Sequence, residues 1–244
     1  MSYLLEVNGI TKHFGGLTAL QSVDFHIGKG EILGLIGPNG AGKTTLFNLI
    51  AGVYKPDIGE VRFKGENLIH LKPDQICKKG IARTFQIPKP FFHMSVLENA
   101  TVGAYFGFEK KGGVKEAQAR AEEAIEKAGL KGRVRTLANN LTLMERKRLE
   151  LARALATQPE ILLLDEVIAG LNPTETLEMV KAILEIRASG ITILMIEHVI
   201  QAVMKLSDRI VVLNYGKKIA EGLPAEIANN RDVIRAYLGG VGHA

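Results

Sequence analysis

Nine residues near the start of the chain, 37–45, have the composition of a loop that binds phosphate. They read Gly-Pro-Asn-Gly-Ala-Gly-Lys-Thr-Thr, follow the apolar run 31–36 and precede an apolar helical pattern at 46–51. Glycine at positions 40 and 42 lets backbone N–H groups close around an anion, because no Cβ stands in the way. The start of the following helix adds partial positive charge. The pattern GxxxxGK[ST] therefore lies between a strand and a helix, the context in which it binds nucleotide phosphates.

Two side chains of this loop are expected to carry its chemistry. Lys43 reaches the β- and γ-phosphates of a nucleotide in such a loop, and the Thr44 hydroxyl coordinates Mg²⁺. A structural turn that is merely rich in glycine is the alternative, and the register of the whole motif argues against it. The residues expected to contact ATP here are Gly37, Pro38, Asn39, Gly40, Ala41, Gly42, Lys43, Thr44 and Thr45.

Two consecutive carboxylates, Asp165 and Glu166, form the second candidate site. They follow the apolar run 161–164, which predicts a buried strand. Ligands of open α/β sheets bind at the carboxyl ends of the strands. Asp165 is therefore expected to hold Mg²⁺, and Glu166 to take a proton from an attacking water. A pair of solvated charges ending a strand is the alternative, which a phosphate-binding loop in the same predicted sheet disfavours.

Composition excludes several classes of protein. Of the 244 residues, 46% are hydrophobic and 23% are charged, which is typical of a globular protein and not of a disordered chain. The longest apolar runs are too short to cross a bilayer, and the first residues lack the pattern of a signal peptide. The single cysteine, Cys77, permits no internal disulfide and fits a reducing compartment.

The distribution of charge along the chain argues against a nucleic-acid partner. The net charge is +5 and the isoelectric point is about 9.2. Lysine and arginine are nevertheless interleaved with aspartate and glutamate along the chain, and there is no tryptophan for stacking on bases. We expect a cytoplasmic protein that works close to a membrane.

The first half of the chain predicts strands followed by helices. Short strands at residues 4–7, 23–27, 32–36 and 59–64 are expected to form an antiparallel sheet. Helical patterns at 95–105 and 115–128 then predict a helical subdomain, inserted at about 87–158 into a single domain that spans 1–244. The charged, glycine-containing segment 107–113 predicts a solvated loop within that subdomain.

The second half alternates helix and strand. Helices are predicted at 145–156 and 174–188, strands at 161–164 and 191–196, a hairpin at 210–220 and a last helix at 232–238. Fully apolar strands in such an alternation indicate a parallel sheet covered on both faces. The predicted fold class is α/β: a P-loop NTPase core with a parallel sheet, an N-terminal antiparallel β-subdomain and an inserted helical subdomain.

Read in order, these motifs resemble those of the ATP-binding subunit of an ABC transporter, over essentially the full length of the chain. The resemblance implies an ATPase that uses ATP and Mg²⁺ and closes as a dimer. It is carried by Phe14, the loop 37–45, Gln86, the segment 141–145, Asp165, Glu166, the segment 169–172 and His198.

The resemblance assigns roles to three further residues. Phe14 stacks on adenine, and Gln86 contacts both Mg²⁺ and the attacking water while sensing the membrane partner. His198 hydrogen-bonds the γ-phosphate and positions the water, which a neutral imidazole can do. Each residue also has a plainer reading: an ordinary core aromatic, an isolated glutamine before a proline-rich loop, and a histidine at the start of a helix.

The main departure from the family lies at residues 141–145, where Leu-Thr-Leu-Met-Glu replaces the signature Leu-Ser-Gly-Gly-Gln. The family offers this segment across a dimer interface to the γ-phosphate held by the other subunit. Thr142 keeps a hydroxyl for that contact in trans, and the helix behind it still points its N-terminus there. Leu143 and Met144 are expected to bring side chains where glycine permits close backbone approach. Val167 and Asn172 are smaller departures that remove no catalytic group.

Within the family, the amino-acid sequence at residues 83–86, 148–155 and 169–175 most resembles that of the ATPase subunits of branched-chain amino acid importers. That resemblance implies a second ATP-binding subunit, with a heterodimer favoured over a homodimer. It also implies transmembrane permease subunits, an indirect solute-binding protein, and a peripheral location at the cytoplasmic face of the cell membrane. A regulatory subunit with impaired hydrolysis, an ATPase of another transporter, and an ABC ATPase acting on DNA or ribosomes are the rival interpretations.

Overall fold

The structure is a computed structural model that describes residues 3–107 and 113–238. Most of the predicted loop at 107–113 lies outside the described residues. The chain divides into two compact units: Met1–Pro73 with Leu194–Ala244, and Asp74–Ile193.

The strands and helices were numbered in chain order. The strands are β1 (Leu5–Phe14), β2 (Leu17–Ile27), β3 (Ile32–Ile36), β4 (Ile58–Phe63), β5 (Glu66–Asn67), β6 (Ile81–Arg83), β7 (Ile161–Asp165), β8 (Thr192–Ile196), β9 (Arg209–Asn214) and β10 (Lys217–Gly222). The helices are α1 (Lys43–Ile50), α2 (Pro73–Lys78), α3 (Val96–Phe106), α4 (Val114–Lys127), α5 (Leu143–Ala156), α6 (Pro173–Ala188), α7 (Ile200–Leu206), α8 (Pro224–Ala228) and α9 (Arg231–Leu238).

The first unit contains an antiparallel sheet in the order β2-β1-β4-β5. Its central strand β1 pairs Leu5 with Ile27 on one side and with Phe63 on the other. Apolar side chains at alternate positions of these strands are buried, as expected for a sheet with one covered face. This sheet confirms the predicted N-terminal antiparallel subdomain.

The prediction that residues 32–36 belong to that antiparallel sheet is wrong. Strand β3 instead pairs in parallel with β9, from Leu33 opposite Arg209 to Ile36 opposite Val212. All five residues of β3 are buried, which is the pattern of a strand covered on both faces. Within the first unit the order of this second sheet is β10-β9-β3-β8, and β9 and β10 form the predicted hairpin.

The second unit combines parallel strands with helices. Its strand order is β8-β7-β6, with β6 parallel to β7 and Ile81 opposite Ile161. Helices α3, α4 and α5 pack against one another through small buried residues, which allow close approach of the helix axes. These residues are Ala100, Ala104, Ala117, Ala121, Ala124 and Ala152.

Helices α3, α5 and α6 of the second unit each begin with a capping box. In each, the side chain of the residue before the helix accepts a hydrogen bond from the glutamate N–H three residues later, and that glutamate bonds back. The pairs are Ser95 with Glu98, Thr142 with Glu145 and Asn172 with Glu175. Their spacing fixes the starts of the three helices.

Among the described residues, four short strands and α-helices were not predicted from the sequence: β5, β6, α2 and α8. Each is six residues or shorter, too short for a periodic hydrophobic pattern. Across residues 3–107 and 113–238, no helix is both long enough and apolar enough to span a bilayer.

Candidate functional site

In the first unit, residues 37–45, here called the phosphate loop, join β3 to α1. Three glycines have positive φ angles: 152° at Gly37, 77° at Gly40 and 101° at Gly42. A Cβ on Gly37 would lie 2.1 Å from the Leu213 carbonyl oxygen, and one on Gly42 would lie 2.7 Å from the Ala19 carbonyl oxygen. The positive φ angles and the lack of room for a Cβ therefore both require glycine at positions 37 and 42.

Lys43 begins α1 and lies folded into the phosphate loop. Its side chain is buried, and its Nζ donates hydrogen bonds to the carbonyl oxygens of Gly37 (2.7 Å) and Pro38 (2.9 Å). Gly42 provides no side-chain cap for α1, so the helix start presents backbone N–H groups with a cation beside them. Thr44 is exposed, with its hydroxyl accessible to a ligand. This arrangement is suited to binding an anion.

An aromatic pair at the end of β1 lies in the same unit. Phe14 is 42% exposed and meets Tyr54 edge to face, with ring centroids 5.2 Å apart. The Lys12 Nζ lies 5.5 Å from the centroid of the Phe14 ring. Lys12 is also ion-paired to Asp57 at 2.9 Å, which fixes its position. Phe14 is therefore not a core aromatic, and its face is available for stacking.

His198 lies in the first unit, between β8 and α7. Its side chain is exposed, whereas the preceding Glu197 is buried. The histidine therefore follows the carboxyl end of a buried strand, which is where a parallel sheet binds its ligands.

In the second unit, Asp165 ends β7 and is almost completely buried. Its Oδ2 accepts a hydrogen bond from Arg83 at 2.9 Å, and its backbone N–H donates to the hydroxyl of Thr84 at 3.1 Å. The side chain of Asp165 is 4% exposed and that of Arg83 is 11% exposed. The Arg83 guanidinium, hydrogen-bonded to this buried carboxylate, holds it in one orientation.

Glu166 follows Asp165 in a left-handed backbone conformation, with φ of 52°. Its Oε2 accepts a hydrogen bond from the Gln86 amide at 2.7 Å, and its carbonyl oxygen accepts one from the Lys147 Nζ at 2.8 Å. Positive φ is uncommon for a residue with a Cβ and here redirects the chain immediately after the strand. The structure thus brings together two residues that the sequence placed 80 positions apart.

The segment 141–145 is folded as the start of α5. The Thr142 hydroxyl accepts a hydrogen bond from the Glu145 N–H at 3.3 Å, and Glu145 Oε2 accepts one from the Thr142 N–H at 2.9 Å. Leu143 is 51% exposed, whereas Met144 is only 6% exposed. Of the two side chains expected where the family has glycine, Leu143 is therefore exposed at the start of the helix, whereas Met144 lies on the buried face of the helix.

Glu145 makes a further ion pair with Arg133, whose Nε lies 2.6 Å from Oε1. Burial acts to raise the pKa of Glu145, but the backbone hydrogen bond from Thr142 and the contact with Arg133 together hold this pKa below its ordinary value. Glu145 thus uses both carboxylate oxygens inside its own subunit.

Three residues that shape these sites were not predicted from the sequence: Arg83, Thr84 and Lys147. Arg83 and Thr84 directly precede the segment that contains Gln86, and their position at the end of a strand beside β7 was the available signal. Lys147 is one of several cations in α5, and nothing in its spacing distinguishes it.

A family model described as ABC transporter matches residues 20–169. The chain belongs to the ABC transporter family. A second model, described as branched-chain amino acid ATP-binding cassette transporter, matches residues 217–243. As a member of the family, the cassette binds nucleotide and hydrolyses ATP in support of transport.

Curated relatives match over almost the whole chain. The chain is 46% identical to the high-affinity branched-chain amino acid transport ATP-binding protein LivG of Salmonella typhimurium (strain LT2), covering 97% of this cassette and 98% of the relative. It is 40% identical to BraF of Pseudomonas aeruginosa, a protein with the same description, over the same shares.

Solved structures agree with this assignment. A crystal structure of the ADP conformation of an ATP-binding cassette of an ABC transporter superposes with a TM-score of 0.90 at 33% identity, covering 98% of this chain and 100% of that chain. A nucleotide-free ATP-binding cassette gives a TM-score of 0.88 at 34% identity, covering 97% and 99% respectively. The predicted α/β class with a P-loop NTPase core is confirmed.

Proposed function

We propose that this cassette is the ATP-hydrolysing subunit of an importer of branched-chain amino acids. The names of the relatives and the family match at residues 217–243 support this substrate class. Selectivity for the solute would reside in other subunits, since the cassette contributes the energy of ATP hydrolysis. We also propose that residues 1–244 form one cassette with a helical subdomain at about 87–158.

The observation that carries the hydrolytic role is the hydrogen bond between Gln86 and Glu166. We assign Glu166 as the general base. The oxygen of a water bonds to the γ-phosphorus while the bond from phosphorus to the bridging oxygen of ADP breaks. The proton released by the water goes to the Glu166 carboxylate. Gln86 orients that carboxylate and the water, and His198 donates to the γ-phosphate.

The nucleotide itself is assigned to residues of the first unit. Lys43 and the backbone N–H groups of residues 37–45 bind the phosphates, and Phe14 stacks on adenine. Each unit also offers oxygen donors of the kind that Mg²⁺ prefers. In the first unit the donor is the Thr44 hydroxyl, and in the second unit the donors are the Gln86 amide oxygen and the Asp165 carboxylate. When bound, Mg²⁺ would neutralise charge on the phosphates.

An exposed apolar surface beside Gln86 supports docking to a membrane subunit. Phe85, Ile87, Phe91 and Phe92 are 51%, 69%, 44% and 43% exposed respectively. Solvent-exposed apolar side chains clustered within eight residues of sequence are typical of an interaction site. We assign transmembrane permease subunits as the partner, with the cassette held peripherally at the cytoplasmic face of the membrane.

A second ATPase subunit is the other proposed partner. A related cassette is described as dimeric in its ADP and phosphate state. In the present chain the capping box occupies the backbone N–H groups of Thr142 and Glu145. The Thr142 hydroxyl accepts one of these bonds and can still donate to a γ-phosphate in trans, so the start of α5 offers that phosphate few donors besides this hydroxyl. A partner with an intact signature would supply the segment that contacts the γ-phosphate of the nucleotide bound by Lys43. We therefore favour a heterodimer with two unequal ATP sites.

A regulatory subunit that binds ATP without hydrolysing it is the second candidate function, and the altered segment 141–145 is the observation that favours it. The hydrogen-bonded pair of Gln86 and Glu166 argues against it, because the catalytic carboxylate and its orienting amide are both present.

The test of the proposed function is ATP-dependent uptake by the assembled transporter. The complex is extracted in detergent, its other chains are identified by mass spectrometry, and it is reconstituted into vesicles with the solute-binding protein outside and ATP inside. Uptake of radiolabelled leucine is expected, together with its loss in the Lys43→Ala variant. A complex that hydrolyses ATP but transports no branched-chain amino acid would overturn the substrate assignment.

A further inference from the structure

One polar side chain of helix α3, that of Asn99, is completely buried in the second unit. Its Oδ1 accepts a hydrogen bond from the Phe91 N–H at 2.8 Å. Its Nδ2 donates to the carbonyl oxygens of Phe91 (3.0 Å), Met94 (3.2 Å) and Ser95 (2.9 Å). Reversing the amide would turn its oxygen toward three carbonyl oxygens, so these contacts define its orientation. Asn99 therefore ties the backbone of residues 91–95 to α3.

A second buried group, the Glu150 carboxylate of α5, holds the chain just before this point. Its Oε1 accepts hydrogen bonds from the Lys89 N–H (2.8 Å) and from the Arg153 guanidinium (2.9 Å). Arg153 also donates to the Lys89 carbonyl oxygen at 3.0 Å. Burying a carboxylate is costly unless it is paired and hydrogen-bonded, and Glu150 is both. Residues 89–95, here called the anchored loop, are thus bonded at both ends to helices of the second unit.

The anchored loop carries two exposed aromatic rings, Phe91 and Phe92. A guanidinium lies over each ring, that of Arg153 at 5.1 Å from the Phe91 centroid and that of Arg146 at 5.6 Å from the Phe92 centroid. Both arginines belong to α5, so the rings contact the same helix that holds Lys89 through Glu150. The two rings are therefore presented to solvent from a backbone that buried polar groups fix.

We propose that Asn99 is a positioning residue for docking to the permease subunits, because it fixes the anchored loop before the partner binds. The inference rests on the proposed docking surface, which includes Phe91 and Phe92. Ordering a loop and its side chains on binding lowers affinity, and a loop that is ordered in advance avoids this loss. An apolar residue at this buried position would leave no polar group to satisfy, so what the amide contributes is the loop that it holds. Glu150 has the same role at Lys89.

The test titrates full-length cassette variants onto the permease subunits of the transporter, stripped of ATPases and held in lipid nanodiscs. Asn99→Ala removes all four hydrogen bonds to the anchored loop. Thr101→Ala is the matched control, because the hydrogen bond of its hydroxyl, to the Leu97 carbonyl oxygen at 2.7 Å, lies within α3. Ordering one side chain at an interface corresponds to about twofold to tenfold in affinity. Asn99→Ala, which releases Phe91 and Phe92, should therefore raise Kd about fourfold to a hundredfold. The Kd for MgADP should not change in either variant.

Glu150 provides a second pair of variants. Glu150→Gln keeps an oxygen that accepts from the Lys89 N–H, whereas Glu150→Ala does not, so only Glu150→Ala should weaken docking in the same direction as Asn99→Ala. Amide hydrogen exchange of the free chain gives a local readout. Exchange at Phe91 should accelerate in Asn99→Ala, whereas exchange at Ala121 in α4 should not.

The outcomes separate this inference from the proposed function. A wild-type Kd for the permease subunits in a folded Asn99→Ala variant, or equal weakening by Thr101→Ala, would overturn this inference alone. If Asn99→Ala does not fold, equal Kd values for Glu150→Gln and Glu150→Ala would overturn it. Phe91→Ala tests the docking surface itself. A wild-type Kd for Phe91→Ala would overturn the proposed docking surface, and this inference with it.

Discussion

The Gln86 amide donates a hydrogen bond of 2.7 Å to Oε2 of Glu166, and the Lys147 ammonium holds the backbone carbonyl of the same glutamate at 2.8 Å. The proposed general base is thus restrained through both its side chain and its main chain. Such restraint favours proton transfer, because a general base acts only within hydrogen-bond reach of the attacking water.

Replacing Gln86 should slow hydrolysis without preventing nucleotide binding. Gln86→Ala removes the amide that orients the Glu166 carboxylate, and the expected loss in kcat is about tenfold to a hundredfold. The KM for ATP should change less than kcat, because Gln86 is assigned one contact to Mg²⁺ and none to the phosphates. Steady-state hydrolysis by the assembled complex measures both constants. A change confined to KM would contradict this role.

Replacing Lys43 should act mainly on binding. Lys43→Ala removes the ammonium assigned to the phosphates, and a charge-assisted hydrogen bond contributes about 1.5–3 kcal/mol, or roughly tenfold to a hundredfold in Kd. Titration calorimetry with MgADP measures this change. Lys29→Ala removes an exposed lysine in the same unit and is the control. Equal affinity in the Lys43 and Lys29 variants would remove the basis for assigning the loop.

The capping box of α5 should contribute stability that depends on pH. Thr142→Ala is expected to cost about 1 kcal/mol, which lowers Tm by about 2–4 °C in a chain of this size. Thr174→Ala, at an exposed threonine in the first turn of α6 that is not a cap, should have little effect. Thermal unfolding followed by circular dichroism makes the comparison.

The sign of the pH effect follows from Glu145. Its pKa is lowered in the folded chain below the ordinary value of 4.5, so its contribution is complete above that value and is lost as the pH falls through the lowered pKa. Glu145→Gln should therefore reduce stability at pH 7 and flatten the loss of stability below about pH 4.5. Identical acid unfolding curves for wild type and variant would show that Glu145 makes no such contribution.

The altered segment offers a test of inequality between the two ATP sites. Leu143→Gly removes an exposed side chain from the start of α5 and should raise turnover at the site of the partner ATPase. The assay uses a dimer of this chain with its partner ATPase, in which Glu166→Gln inactivates the ATP site that depends on this chain's Glu166. Met144→Gly is not equivalent, because Met144 is buried and its truncation should cost about 2–5 kcal/mol. Unchanged turnover in the Leu143→Gly dimer would argue against unequal sites.

The sequence predicts the fold and the identity of the candidate site residues better than it predicts the contacts between those residues. Local spacing suffices for the phosphate loop, since strand, glycines and lysine are contiguous. The residues next to β3 in sequence do not predict which sheet β3 joins, because its partner strand β9 lies 176 positions away. The contact between Lys147 and the Glu166 carbonyl, and the burial of Met144, likewise depend on packing between distant elements. The capping boxes were not predicted, although their pattern, Ser, Thr or Asn three residues before Glu, is local in the sequence.

The most direct test of the central claim is ATP hydrolysis by the Glu166→Gln variant in the assembled transporter, with the partner ATPase silenced at its phosphate-loop lysine. Only the site built on this chain then remains active. Glu122→Gln, at an exposed glutamate of α4, is the matched control. A fall in kcat of about 10²–10⁴-fold is expected for Glu166→Gln, with little change in the Kd for ATP. Turnover equal to that of the Glu122→Gln control would contradict the assignment of Glu166 as the general base.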